Sequence, residues 1–179
     1  VLRQRPYENL WFSNLKTAVR DNGVTVWYNS LELYLYVGLF VVAKDRFHQV
    51  VKTALTKDGW NVTRDPLQIK VGGVDMEIDL GAERLLAAER GEEKIAVEVK
   101  SFLASTSAIS EFHTALGQYI NYRAALRREE PDRLLYLAIS DLIYNSFFQL
   151  DFPASMLQEN SVKIIVSNIE LEQILLWKK

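Results

Sequence analysis

The spacing of hydrophobic positions changes character near residue 43. Beyond it, Phe47, Val50, Val51, Ala54 and Leu55 fall at the i, i+3, i+4, i+7, i+8 spacing of one helical face. Gly59 stands where such a helix would stop. The period then shortens to that of strands. A short strand is predicted at 60–63, broken by Asp65-Pro66, and strand-like runs at 67–71 and 74–80 flank Gly72-Gly73, which reads as a turn. Residues 85–89 and 95–100 read as a hairpin across 90–93. A long helix is predicted over 107–127, burying Ile109, Phe112, Leu116, Tyr119, Ile120 and Leu126. Pro131 closes the next connection, 134–139 is an apolar run of strand length, and 141–149 reads as a short helix. Residues 162–166 and 171–177 read as closing strands, the last also compatible with helix. This order predicts a mixed α/β domain over 44–179.

Residues 1–43 are different. They hold eight of the chain's 20 aromatic residues but only four basic and three acidic ones, and 33–43 is an uncharged apolar run of 11. A membrane span needs about 20 such residues, so no span is predicted, and the run lies too far along the chain for a secretory signal. The segment is expected to be an extra packed hairpin, an appendage with its own partner surface, or sequence upstream of a natural start near Val41 or Val42.

Composition narrows the chemistry. With 179 residues, 49% hydrophobic and 25% charged, the chain suits one folded domain. The absence of cysteine excludes disulfides, thiolate catalysis and cysteine-based metal sites, and two histidines cannot form a three-His zinc site. A net charge of −2 gives no bulk attraction to nucleic acid, so a DNA partner would have to meet a local basic face or a bound divalent cation.

The segment 72–103 carries the candidate chemistry. On its second strand, Ile95, Val97 and Val99 are expected to face the core, with Lys94, Ala96, Glu98 and Lys100 on the other face. Glu98 and Lys100 then stand about 7 Å apart on one side of a strand. With a second acid nearby, Glu98 could hold a hard cation such as Mg²⁺, while Lys100 orients water or stabilises charge on a phosphoryl transition state. The second acid is open. A turn at Gly91-Glu92 sets Glu98 opposite Leu85 and Lys100 opposite Glu83, and Asp79 reaches Glu98 only if Gly81-Ala82 bulges or the strand bends. Alone, Glu-x-Lys is most often the solvent face of a strand. Here it precedes a helix with Gln118 and Tyr122 at i and i+4, on a polar stripe with Glu111 and Thr114.

Other residues read more plainly. His48 and His113 stand at the edges of apolar helical faces and are expected to be boundary residues, His48 retained as an outer candidate beside the site. Arg123, Arg127, Arg128 and Arg133 could touch phosphates, but Glu129, Glu130 and Asp132 dilute them, and a solvated helix end is expected.

Four stretches, 44–60, 72–89, 95–102 and 109–123, resemble the FdxN element excision controlling factor (XisH) family of cyanobacteria, and the resemblance runs from Val42 to the C-terminus. It implies a restriction-endonuclease-like, PD-(D/E)XK core of helix, strand meander, helix and strands, to which residues 1–40 would be an extension. It further implies Asp79 and Glu98 as ligands of Mg²⁺ or Mn²⁺, Lys100 as the motif lysine and Gln118 with Tyr122 as the helix motif of RecB-like members. Ile78 replaces the family's proline before the aspartate, which keeps Asp75 and Glu83 as rivals of Asp79. The resemblance implies a cytoplasmic factor in programmed DNA rearrangement, acting on DNA beside a site-specific recombinase and an XisI-family protein, with no membrane. Self-association is left open. A metal-dependent DNA hydrolase is expected. The alternative is a nuclease-fold accessory protein that binds and does not cut.

Overall fold

The computed structural model describes residues 17–21, 24–28, 45–85, 92–102 and 107–179. The apolar run 33–43 lies outside them. In the N-terminal part, β1 (Thr17–Asp21) and β2 (Val24–Tyr28) pair antiparallel as a hairpin of their own. Helix α1 covers 45–57. Strands β3 (Asn61–Arg64), β4 (Leu67–Val71), β5 (Val74–Ile78), β6 (Leu80–Leu85) and β7 (Glu92–Val99) follow. Then come α2 (Ala108–Glu129), β8 (Arg133–Ser140), α3 (Asp141–Tyr144), a 3₁₀ turn (Phe147–Gln149), α4 (Asp151–Glu159), β9 (Ile164–Asn168) and β10 (Gln173–Lys178).

Six strands form one sheet in the order β10-β9-β8-β7-β6-β3, while β4 and β5 form a separate hairpin. The pairs β7–β8 and β8–β9 are parallel, and the flanking pairs are antiparallel. Parallel strands need crossovers on the sheet faces, and those crossovers bury them on both sides. On one face Leu135, Leu137, Ile139, Ile164 and Val166 pack with Phe112, Ala115, Tyr119 and Leu126 of α2 and Leu157 of α4. On the other, Ile95, Val97, Val99, Ala138 and Ile165 pack with Phe47, Val50, Val51 and Leu55 of α1 and with Trp60. Each fully buried Leu or Ile contributes about 1.5–3 kcal/mol relative to exposure, so the two-sided burial of β8 anchors the domain. No described helix is long and apolar enough to cross a membrane.

Three expectations change, and one alternative is decided. The β6–β7 connection is 86–91, with Leu85 opposite Glu92, so the hairpin reaches back to Leu80 and does not turn at 90–93. Ile109 and Ile120 of α2 are exposed at 36% and 38%, and Ala115 takes a core place. Hydrophobicity alone does not reveal that this face needs a small residue for close approach to the sheet. Residues 151–159, left without an element in the sequence, form α4; Pro153 sits in its first turn, where the missing N–H is harmless. Residues 171–177 yield a strand, β10, on the sheet edge.

Candidate active site

The β6–β7 register runs Leu80↔Val97, Gly81↔Ala96 and Glu83↔Lys94. Asp79 stands one step further on, beside Glu98, at a bend between β5 and β6, while the pairing of Gly81 and Ala82 with β7 is regular. Gly81 serves a different purpose: a Cβ there would lie 3.3 Å from the Cβ of Arg64 and 3.4 Å from that of Leu67. Asp79 and Glu98 interlock through the main chain. The Val99 N–H donates to Asp79 Oδ2 at 2.7 Å, and the Asp79 N–H donates to the Glu98 carboxylate.

Glu98 lies on the face covered by α2 and is 3% exposed. Lys100 Nζ is 2.8 Å from Glu98 Oε1, and the Lys100 N–H donates to Ala138 O at 2.9 Å, tying the strand end to β8. From α2, Gln118 Nε2 donates to the Tyr122 hydroxyl at 3.3 Å. The Oε1 of Gln118 is buried without a hydrogen-bond partner, although a buried carbonyl of this kind is normally satisfied. Burial, and after it the charge on Glu98, raises the Tyr122 hydroxyl above its ordinary range, with Asp79 and Glu77 adding to the effect. Tyr122, at the end of the α2 stripe, is thus within electrostatic reach of both acids.

The electrostatics of Glu98 follow from its place. Burial foremost, then the negative charge of Asp79, push its carboxyl from 4.5 up to about 7, against the pull of Lys100. A buried acid beside another acid is unfavourable as an anion unless positive charge is supplied. Among the described residues no group of three His, Asp or Glu side chains is assembled for a metal. The donor set is thus two carboxylates, which matches the habit of Mg²⁺ of keeping several waters and binding through one or two carboxylates plus phosphate oxygens.

The rivals of Asp79 are placed elsewhere. Glu83 pairs with Arg133 at 3.0 Å. Asp75 is 77% exposed and paired with Lys70 at 3.2 Å on the β4–β5 hairpin. His48 Nε2 lies 2.9 Å from Asp65 Oδ1, with Lys52 2.7 Å from the other carboxylate oxygen, a surface clasp between α1 and the end of β3. His113 is exposed. Arg133 contradicts the solvated-helix-end expectation. It is 4% exposed, bound to Glu83 and to Glu130 at 2.7 Å, and it donates to Ile95 O at 2.9 Å. A run of mixed charges gives no sign that one member turns inward at the start of a strand.

A profile described as XisH protein matches residues 41–175. The chain belongs to the XisH family. A crystal structure of an XisH family protein from Nostoc punctiforme is similar at 59% identity and TM-score 0.69, covering 75% of this chain and 99% of that one. A second, of a FdxN element excision controlling factor protein from Anabaena variabilis, is similar at 58% identity with the same TM-score and coverage. No curated protein sequence matches. The XisH match begins just before α1, so the β1–β2 hairpin lies outside the family domain.

Proposed function

We propose that this XisH protein is a divalent-metal-dependent DNA phosphodiester hydrolase of the PD-(D/E)XK type, acting in excision of a chromosomal element. The observation that carries the reading is the buried Glu98, joined to the half-buried Asp79 through the main chain and paired with Lys100, with Tyr122 of α2 in its electrostatic reach. Asp79 and Glu98 would hold Mg²⁺ or Mn²⁺, which when bound polarises a phosphodiester and lowers the pKa of a water. Lys100 sits where it can orient that water or stabilise charge developing on the phosphoryl oxygens. The unsatisfied Gln118 Oε1 is an acceptor available to a water at the site, and Tyr122, kept protonated, holds the Gln118 amide in place. The excision role rests on the described role of the Anabaena relative, and a recombinase and an XisI-family protein are the partners that such a role would require.

A second reading has one observation in its favour. Lys100 occupies an oxygen of Glu98 at 2.8 Å, so a protein that binds without cutting could retain the same geometry as a neutral ion pair. Nicking of supercoiled DNA in Mg²⁺ or Mn²⁺ separates the two. Cutting by the wild type that is lost in Glu98→Ala and Lys100→Ala supports hydrolysis. No cutting with or without the XisI partner, from folded protein, leaves the binding role.

A further inference from the structure

The chain as a whole is acidic, and Lys52, Lys57, Arg64, Lys70, Arg84 and Arg133 sit in ion pairs away from the candidate site. The cations around one cleft are held differently. Between α4 and the outer strands β9 and β10 runs a cleft of about 600 Å³ whose lining includes Lys163, Lys178 and Lys179, with Ser155 and Ser161 beside them. Asp151 is the one carboxylate in that lining. At its rim Arg123 of α2 donates to the carbonyls of Asn160 and Ser161 and lies over the ring of Tyr119. None of these four cations is in an ion pair with a carboxylate among the described residues.

The fold relates this cleft to the acidic pair. Glu98 stands in register with Leu137, Leu137 with Ile164, and Ile164 with Lys178. Lys178 is therefore three strands from Glu98 in one transverse row, about 14 Å at normal strand spacing. Helix α2 crosses between them. Tyr122, with Gln118 bonded to it, lies within electrostatic reach of Glu98, whereas Tyr119 accepts from the Lys163 N–H and Arg123 reaches the cleft rim.

We infer that the cleft binds phosphate groups of a DNA backbone, as an electrostatic docking site separate from the metal pair. The inference rests on the proposed action on DNA and says where the backbone is held. Three lysines lining one cleft, with Arg123 at its rim, are what an acidic protein needs to meet a polyanion, because affinity for nucleic acid comes chiefly from counterions released at neutralised phosphates. The row separation is also of the order of a major-groove width, about 12 Å. One backbone can thus lie at the cleft while the other approaches Glu98.

The test is binding of a labelled duplex by fluorescence anisotropy across a salt series, in Ca²⁺, for wild type and Lys163→Ala/Lys178→Ala/Lys179→Ala. Each lost phosphate contact removes about 0.9 from the slope of log K against log salt. The triple variant should lose about 2–3 from the slope and at least about tenfold in affinity near 0.15 M salt. Because Lys163 borders the core, the exposed pair Lys178→Ala/Lys179→Ala is run beside it and should lose about 1–2. An unchanged slope in both variants, with wild-type DNA binding intact, overturns the docking site alone. Inorganic phosphate that stabilises the wild type but not the triple variant, while DNA affinity stays the same, also overturns it, because the cleft then serves a free anion. Wild type that binds no DNA overturns both readings, and wild type that binds but never cuts overturns only hydrolysis.

Discussion

Replacing Glu98 by Gln removes one ionisation while keeping nearly the same shape, and it tests the acidic pair directly. The Glu98 side chain is 4% exposed, and burial together with the charge on Asp79 lifts its carboxyl from 4.5 to about 7. A folded-state value raised above the unfolded one means that the protonated form favours the fold. That contribution is complete below the unfolded value of 4.5 and is lost as pH rises through about 7. The shift corresponds to about 3 kcal/mol. In metal-free buffer the stability of the wild type relative to E98Q should therefore fall by about 3 kcal/mol between about pH 4.5 and 8. For a chain of this size that is about 6–12 °C in the difference of Tm. Thermal or urea unfolding of both proteins over the same pH series isolates Glu98, because every other group titrates in both. Under the proposed metal binding, Mg²⁺ would add positive charge beside Glu98, so it should raise the Tm of the wild type more at about pH 8 than at about pH 5.5 and leave E98Q nearly unmoved. Parallel stability curves for the two proteins would refute the buried-acid argument. Equal Mg²⁺ stabilisation of both would remove Glu98 from the metal site.

Three further outcomes follow from particular contacts. Arg133→Ala strips the partner from Glu83 and Glu130 and leaves the Ile95 carbonyl unmatched, so it should cost about 3–5 kcal/mol by urea denaturation. Tyr119→Phe leaves the Lys163 N–H and the Leu135 carbonyl without the hydroxyl that joins them at 3.0 Å each and should cost about 2 kcal/mol, measured the same way. Asp65→Asn loosens an exposed clasp. Partial burial works to raise its carboxyl, but Lys52 and His48 hold it below its ordinary value, so its small stabilising share is present above about pH 4 and lost as pH falls. The cost near neutral pH should be under about 1 kcal/mol and shrink in high salt.

The hairpin shows most clearly what could be read in advance. The alternation at 95–99 and the helical period of α2 come from side-chain directions within single elements, and both are local. They were sufficient to put Glu98 and Lys100 on one strand face and Gln118 and Tyr122 on one helix stripe. The choice among Asp75, Asp79 and Glu83 was not local. It depended on register: moving the connection from 90–93 to 86–91 carried Glu83 from Lys100 to Lys94 and brought Asp79, in place of Leu85, beside Glu98.

By itself, then, the sequence determined the order of elements apart from α4, the mixed α/β class and the pairing of an acid with a lysine. Its close likeness to XisH proteins over 41–175 fixed the family. Tertiary structure decided the rest. Parallel pairing of β7 with β8 buried Glu98 under α2, where low polarity and the charge of Asp79 raise its carboxyl. The turn into β8 drew Arg133 inward to Glu83 and Glu130, and the β9–β10 edge gathered Lys163 and Lys178 from separate segments into one cleft. Burial and charge proximity are properties of packed surfaces, and residues distant in sequence acquire them only when the strands settle into register.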